Sequence, residues 1–177
     1  GSTSTNRWCY STSKAILEHY LNACSYSREI NHITVRLFNV YGPRLKGRVV
    51  SNFIENVSRG EDILVHGEGK QTRSFTYVDD VIEAFDLLVS DSNCHNQIFN
   101  VGNQRETSIK GLAEIIKRAS NCDSKIKYIP HSQYYGEGYE DMDRRVPDIS
   151  KLKEYTNWEP KTSLEEGIAK TLEYTNG

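Results

Sequence analysis

The stretch that decides the fold is Ile33-Thr-Val-Arg-Leu-Phe-Asn-Val-Tyr-Gly-Pro43. Residues 33–40 are rich in β-branched and aromatic side chains, which fit the pleated, half-buried surface of a sheet. Gly42 and Pro43 then interrupt the pattern, because proline has no N–H to donate to a strand ladder. We therefore predict a β-strand over residues 33–40 that ends in a turn.

Helical and extended segments alternate on both sides of this strand. Apolar residues at helical spacing predict helices at residues 10–26, 49–59, 79–90, 109–119 and 149–155, and after Ser163. Short apolar runs predict strands at residues 63–66, 75–78, 97–101 and 126–129. Residues 134–143 are rich in Gly, Tyr and acids and are expected to form a loop. This alternation indicates the α/β fold class.

Several helix ends carry capping signals. Ser108 and Asp148 are expected to cap the helices that follow them. Ser163 and Glu166 have the spacing of a capping box. Gly60 stands where the helix over 49–59 needs a left-handed residue to end.

The composition narrows the classes of partner. Among 177 residues, 22 Lys and Arg against 24 Asp and Glu give a net charge of −2, so there is no basic field for a nucleic acid backbone. No apolar run approaches the roughly 20 residues of a membrane span, and no leader sequence opens the chain. The four cysteines are scattered, without the spacing of a zinc site. We expect no nucleic acid, membrane or metal partner, and a cytoplasmic location.

The strongest local signal for chemistry is Tyr10-Ser-Thr-Ser-Lys14, at the start of a predicted helix. Residues four apart share a helix face, so the phenol and the ammonium lie side by side. A nearby cation favours the phenolate, which otherwise forms only near pH 10. Tyr10 could then accept a proton from a hydroxyl while hydride leaves the same carbon. The alternative is an amphipathic helix with a surface lysine.

Further motifs occur in a fixed order along the chain. Residues 7–15 are followed by Arg36-Leu-Phe-Asn-Val-Tyr-Gly-Pro-Arg44, and later blocks lie at 47–54, 65–79, 99–102, 144–151 and 158–160. Together they resemble the extended short-chain dehydrogenase/reductase family, which contains nucleotide-sugar epimerases, dehydratases and decarboxylases. The resemblance covers nearly the whole chain.

This resemblance implies the C-terminal part of a Rossmann-type fold with the small substrate-binding α/β domain. Residues 1–48 would form the end of the NAD-binding Rossmann domain, including the catalytic helix. Residues 49–177 would form mainly the nucleotide-sugar-binding domain, with some segments returning to the Rossmann part. NAD is the implied cofactor, a UDP-linked nucleotide sugar the implied ligand, and a homodimer the implied assembly of the full-length protein.

The resemblance also implies a set of site residues. Tyr10 would be the catalytic base, and Lys14 would bind the nicotinamide ribose and lower the pKa of the tyrosine. The other residues implied on the cofactor side are Phe38, Val40 and Arg48. Those implied on the substrate side are Asn39, Val50, His66, Arg73 and Arg145. From the residues alone, Asn39 can equally be a turn residue that bonds its own backbone, and His66 a satisfied loop histidine.

Arg73 and Arg145 are far apart in sequence, and the resemblance assigns both to the diphosphate of the ligand. Two guanidinium groups converging on a diphosphate give bidentate anchoring without a basic surface, which suits the near-neutral net charge. The alternative is a pair of surface ion pairs, Arg144 with Asp143 and Arg145 with Asp148, which would contribute little.

The family's diphosphate-cradling G-x-x-G-x-x-G loop does not occur in this chain. We therefore expect the isolated polypeptide to bind NAD poorly and to be inactive. Residues 48–54 favour the UDP-glucuronate decarboxylases and residues 36–44 favour the UDP-sugar 4-epimerases. The sequence analysis prefers a 4-epimerase that acts by transient C4 oxidation. A decarboxylase, a dTDP-glucose 4,6-dehydratase-like enzyme and a noncatalytic nucleotide-sugar-binding module are the alternatives.

Overall fold

The computed structural model describes residues 8–28, 30–130 and 144–177. Its helices are α1 (Cys9–Arg28), α2 (Val49–Ser58), α3 (Val78–Ser90), α4 (Ile109–Ser120), α5 (Ser150–Thr156) and α6 (Leu164–Asn176). Its strands are β1 (Ile33–Leu37), β2 (Val40–Tyr41), β3 (Ile63–His66), β4 (Thr72–Ser74), β5 (Thr76–Tyr77), β6 (Gln97–Val101), β7 (Glu106–Ser108), β8 (Ile126–Ile129) and β9 (Arg144–Arg145). The loop expected over 134–143 lies outside the described residues.

The strands pair in small ladders that are mostly parallel. β1 pairs with β6, β2 with β5 and β3 with β8, each in parallel. β4 is the middle strand of a three-stranded ladder, antiparallel to β7 and parallel to β9. Parallel strands need long crossover connections, which the helices between them supply. The predicted α/β fold class is confirmed.

The predicted strand over 33–40 is interrupted, which corrects the sequence analysis. β1 ends at Leu37, and Asn39 takes a left-handed conformation with φ of 40° before β2 begins at Val40. Asparagine tolerates this region better than other residues with a Cβ atom. The chain uses the break to pass from the β1–β6 ladder to the β2–β5 ladder.

Two hydrophobic clusters lie inside the molecule. One combines the inner faces of α2, α4 and α6 with β3, and its members include Ile54, Ile63, Leu112 and Ile168. The other combines α3, β6 and α5 around Trp158, Phe99 and Leu88. The segments over 78–101 and 149–158 thus pack with β1, whereas most of the remaining chain after residue 48 forms the first cluster.

The capping signals are confirmed for three helix ends. The Ser108 hydroxyl accepts a hydrogen bond from the backbone N–H of Gly111, and Ser163 accepts one from that of Glu166. Gly60 has φ of 70° just after α2. Asp148 lies one residue earlier than a cap, because Ile149 is the N-cap of α5; its carboxylate instead accepts from the N–H of Ser150 at 2.9 Å.

Gly167 allows α6 to lie close against the strands. A Cβ atom at this position would stand 2.1 Å from the Tyr41 hydroxyl oxygen and 2.9 Å from Cδ2 of Tyr77. Both tyrosines are buried, with exposed fractions of 2% and 4%. The Tyr41 hydroxyl also donates to the carbonyl of Leu164, at 3.4 Å.

Helix α1 differs from the other helices in its exposure. Its large apolar side chains face outward, including Ile16, Leu17, Tyr20 and Tyr26, the last with an exposed fraction of 94%. None of the helices in the described part of the chain is long and apolar enough to cross a membrane.

Candidate active site

Asn39 lies at the junction of two ladders and is held there by its side chain as well as its backbone. Its Nδ2 donates to the carbonyl of Ser74 at 2.7 Å, and its own carbonyl accepts from the N–H of Thr76 at 3.2 Å. These contacts cross more than thirty residues of sequence, so the interpretation of Asn39 as a turn residue bonding its own backbone is wrong. The carboxyl ends of parallel strands, where Asn39 stands, are where ligands gather in α/β folds.

The two arginines assigned to the diphosphate are brought together. Arg73 and Arg145 are register partners on β4 and β9. Arg145 donates from Nη2 to Oδ1 of Asn39 at 2.8 Å. Arg73 is only 8% exposed, and its Nη1 donates to the carbonyl of Thr72 at 2.7 Å. The two arginines are therefore neighbours on adjacent strands, one exposed and one buried, and the exposed Arg145 contacts the Asn39 amide.

The described contacts of Arg144 and Asp148 bear on the surface ion pairs considered as alternatives. Arg144 is bound by Glu106, with Nε and Nη2 at 3.0 and 2.7 Å from Oε1. Glu106 also accepts a hydrogen bond from the Thr72 hydroxyl at 2.9 Å. Arg144, followed by that hydroxyl, lowers the pKa of Glu106. Arg145 does not bind Asp148, whose carboxylate accepts from Ser150, and Asp143 lies outside the described residues.

Helix α1 is oriented by contacts at two levels of the β1–β6 ladder. Near its C-terminal end, Ser25 donates to Asn96, just before β6 begins, at 2.9 Å. Further back along the helix, Glu18 accepts from Arg36, near the end of β1, at 2.6 and 2.8 Å. The helix therefore runs antiparallel to β1, and Tyr10 lies roughly 12 Å beyond Glu18 at 1.5 Å per residue. Tyr10 thus stands past the carboxyl ends of these strands, on the side where Asn39 lies.

Tyr10 and Lys14 share one face of α1, as the Y-x-x-x-K spacing predicts. The Lys14 Nζ lies 5.5 Å from the centroid of the Tyr10 ring. Tyr10 is 68% exposed, so its phenol is accessible to a ligand. The ammonium is close enough to the ring for a cation–π contact.

Phe38 and Val40 flank Asn39 on either side of the break. Phe38 packs against Gly102, where a Cβ atom would stand 2.8 Å from Cβ of Phe38. Its carbonyl accepts from the Thr76 hydroxyl at 2.9 Å. Val40 begins β2 opposite Thr76 and is half-buried. Both residues lie next to Asn39, on the assigned cofactor side.

The remaining predicted residues lie in different settings. Arg48 is an exposed N-cap residue of α2, with its backbone N–H and carbonyl bound by the Ser51 hydroxyl at 3.1 and 2.9 Å. His66 is the last residue of β3, opposite Ile129. Val50 is 3% exposed and packs in the first hydrophobic cluster.

Sequence reasoning missed two residues that organise this region. Thr76 is fully buried, and its hydroxyl links Phe38 to the N–H of Asn103. Glu106 joins Thr72 to Arg144. Neither residue belongs to a motif with a physical signature of its own. Their roles depend on strand pairings between segments that are distant in sequence.

Comparison with known proteins identifies relatives of this arrangement. Residues 2–171 match the family described as GDP-mannose 4,6 dehydratase. UDP-N-acetyl-alpha-D-glucosaminuronate decarboxylase of Bacillus cytotoxicus is 37% identical over 179 residues, covering 98% of this chain and 55% of the relative. UDP-glucuronic acid decarboxylase 1 of Arabidopsis thaliana is 39% identical over 169 residues, covering 94% and 37%. The chain therefore spans about half, or less, of the length of these curated relatives.

Solved structures agree with the chain in three dimensions. UDP-glucose 4-epimerase from Thermotoga maritima, solved with UDP-glucose, superposes with a TM-score of 0.84 at 34% identity, covering 94% of this chain and 52% of that one. UDP-glucose 4-epimerase from Thermus thermophilus, solved with NAD, gives 0.82 at 29% identity, covering 95% and 54%. The predicted Rossmann-type α/β fold is confirmed. The chain belongs to the GDP-mannose 4,6-dehydratase family within the extended short-chain dehydrogenases/reductases, the group of nucleotide-sugar epimerases and dehydratases.

Proposed function

We propose that this chain is the substrate-binding half, including the catalytic tyrosine, of an NAD-dependent enzyme that oxidises a UDP-sugar at C4. The observation that carries the proposal is the hydrogen bond from Arg145 to Asn39, with Arg73 beside it on the next strand. This cluster lies at the carboxyl ends of the strands, and Tyr10 lies beyond the same ends. Such a reaction needs a site for the diphosphate anion and an accessible phenol at the same end of the sheet.

Each residue has a role that follows from its position. Arg73 and Arg145 bind the diphosphate, since paired guanidinium groups match phosphate oxygens in geometry and charge. Asn39 holds Arg145 and contacts the sugar nucleotide. Tyr10 acts as the phenolate, accepts the proton of the C4 hydroxyl and becomes a neutral phenol, while Lys14 favours the phenolate form that begins the step. Arg73 and Arg145 lie on strands, whereas the base Tyr10 lies on α1. The bound sugar must therefore extend from the arginines to the tyrosine.

The arrangement around Asn39 fits a nicotinamide cofactor. Tyr10 and Lys14 are exposed on α1, and the Phe38 side chain lies against Gly102 at the carboxyl ends of β1 and β6. Lys14 would bind the nicotinamide ribose, Phe38 and Val40 would border the nicotinamide, and Arg48 would approach the cofactor from the start of α2. NAD, when bound, supplies the acceptor for the hydride that leaves C4. The chain without a diphosphate-cradling loop is expected to bind NAD poorly and to be inactive when isolated.

For the outcome after oxidation, loss of carbon dioxide from a UDP-linked uronic acid is the first candidate. A C4 ketone stands β to the C6 carboxylate, so the electron pair released with carbon dioxide is taken up as an enolate. The curated relatives described above are named as decarboxylases, at 37% and 39% identity. A UDP-sugar 4-epimerase, which sequence reasoning preferred, is the second candidate because of the Thermotoga maritima epimerase, at 34% identity.

Calorimetry on the 177-residue chain tests whether Arg73 and Arg145 bind the diphosphate. UDP is expected to bind, and NAD is not. Arg73→Gln and Arg145→Gln should each weaken UDP binding by about tenfold or more, because each removes charge-assisted hydrogen bonds. Arg118→Gln, at an exposed arginine in the last turn of α4, is the matched control and should leave the affinity unchanged. Absence of binding of both UDP and NAD by the unmodified chain would instead favour a noncatalytic scaffold.

Product analysis separates the two enzymatic outcomes. A protein in which an NAD-binding half precedes these residues is given UDP-glucuronate or UDP-glucose. Release of carbon dioxide with a UDP-pentose supports the decarboxylase. Interconversion of UDP-glucose and UDP-galactose, with no carbon dioxide from UDP-glucuronate, supports the epimerase.

We also infer that the full-length protein is a homodimer that associates through α1. The exposed side chains of Ile16, Leu17 and Tyr20 support this, since contiguous exposed apolar surface marks interaction sites. Sedimentation of the full-length protein with Leu17→Lys should show a shift toward the monomer. An unchanged dimer would exclude this face as the interface.

A further inference from the structure

We propose that Glu106 is a positioning residue for the diphosphate site, because it holds β9 in the register that places Arg145 beside Arg73. The inference rests on the proposed function of the two arginines. Glu106 itself has a carboxylate and would repel a diphosphate, so its contribution must come through the residues it binds. Those residues are Arg144 and Thr72.

Strand β9 depends on such support because it lies at the edge of the described ladder. Its described residues, Arg144 and Arg145, are both exposed and pair with β4. An edge strand relies on one neighbour and on side-chain contacts to specify its register. A shift by one residue would turn Arg145 to the opposite face of the ladder.

The contacts of Glu106 fix that register one rung away from the arginine pair. Thr72 and Arg144 are register partners, and Glu106 binds the hydroxyl of the first and two nitrogens of the second. The next rung is Arg73 with Arg145. The Glu106 carboxylate on β7 thus links the edge strand β9 to β4, one rung before the pair Arg73 and Arg145.

The other side of β9 is held differently. The carbonyl of Asp148 accepts from Asn100 at 2.9 Å, and the carbonyl of Pro147 accepts from Gln104 at 3.4 Å. These bonds fix the chain after Arg145 to the end of β6 and the turn that follows. The rung at Arg144 and the bond from Arg145 to Asn39 act on the strand itself, and Glu106 contributes the first of these two.

The sign of the effect on UDP affinity separates positioning from simple electrostatics. If Glu106 acted only through its charge, Glu106→Gln would remove a repulsion and strengthen UDP binding. If Glu106 positions β9, the same change releases Arg144 and weakens UDP binding. A purely structural role would weaken uridine and UDP alike, whereas loss of the arginine pair lowers only the preference for UDP over uridine.

Calorimetry of the 177-residue chain with UDP and with uridine tests this. Glu106→Gln is expected to weaken UDP by about tenfold, as for the loss of a charge-assisted contact, with uridine unchanged. Glu106→Gln with Arg144→Gln restores the net charge and should be as weak as the single variant. Glu83→Gln, which removes a surface carboxylate of α3 that pairs with Lys161, is the matched control and should bind both ligands normally.

Two outcomes would overturn the inference and one would overturn its premise. UDP binding by Glu106→Gln that is unchanged or tighter, or recovery of normal affinity in the double variant, shows that Glu106 does not position the site. If Arg73→Gln and Arg145→Gln also bind UDP normally, the proposed diphosphate role itself fails. Should Glu106→Gln not fold, Glu106→Asp keeps the charge but shortens the reach, and a normal UDP-to-uridine preference in that variant would refute positioning.

Discussion

Replacing Asn39 tests the central residue of the site, because its side chain and its backbone conformation can be perturbed separately. Asn39→Gly keeps the left-handed backbone, which glycine adopts without strain. It removes a neutral hydrogen bond to the Ser74 carbonyl and a charge-assisted one from Arg145. Such bonds contribute about 1 and about 1.5–3 kcal/mol, which add to about 2.5–4 kcal/mol. We expect a loss near the low end of that range, about 2.5 kcal/mol in the free energy of unfolding, because Arg145 is exposed.

Asn39→Ala removes the same bonds and adds backbone strain. At φ of 40° an alanine is disfavoured by about 1 kcal/mol or more. Asn121 is the matched control: it has φ of 49° at the end of α4, and its side chain makes no hydrogen bond with the described residues. At this position, Asn121→Gly should leave the free energy of unfolding nearly unchanged, and Asn121→Ala should lower it by the backbone strain alone.

Urea denaturation of the four variants measures these differences, and calorimetry with UDP follows the function. The Gly-to-Ala difference should be similar at both positions, whereas only the Asn39 variants should lose the contribution of the amide. Asn39→Gly should also bind UDP more weakly, since Arg145 loses its partner. Equal stability of Asn39→Gly and Asn121→Gly, with normal UDP affinity, would refute the role assigned to Asn39.

Three further outcomes are expected. Gly167→Ala should destabilise by about 1–2 kcal/mol in urea denaturation, because crowding of Tyr41 outweighs the helix propensity gained; a more stable variant would contradict the packing. Glu106 has a lowered pKa, so its bond to Arg144 is fully formed above the ordinary glutamate pKa of about 4.3 and is lost as pH falls through its own lower value. The part of the pH dependence of UDP affinity that comes from Glu106 should therefore lie below the ordinary glutamate pKa of about 4.3, and Glu106→Gln should remove that part. In a protein with an NAD-binding half, Tyr10→Phe should reduce turnover by about 100-fold or more while UDP affinity stays constant; full activity would exclude Tyr10 as the base.

Local signals were enough to predict most of the secondary structure. The helix starts at Ser108 and Ser163 follow from side-chain caps that need only three residues of context. The interruption at Asn39 was missed because Val40 and Tyr41 are good strand formers, which masked the tolerance of asparagine for a left-handed turn. Strands β7 and β9 were also missed, since they are two or three residues long and form through pairing with β4.

Some features of the candidate site likewise follow from local sequence, whereas others depend on contacts between distant segments. The pairing of Tyr10 with Lys14 follows from helix geometry alone. The side-by-side placement of Arg73 and Arg145 was expected from the family resemblance, and no pattern within either segment specifies it. Glu106 could not be found from the sequence, because its partners lie 34 and 38 residues away and become neighbours only in the folded ladder.

The peripheral position of α1 means that the two parts of the site need not have the same local stability. This helix is tied to the sheet through exposed polar contacts, including Glu18 with Arg36, and such contacts hold an element weakly. Strand β4, in contrast, is the middle strand of its ladder, and its Arg73 and Ser74 are buried. Amide hydrogens of α1 should therefore exchange with solvent much faster than those of β4. If α1 unfolded locally around Tyr10, the chain would still bind a nucleotide. Nucleotide binding and catalytic turnover can therefore be lost independently.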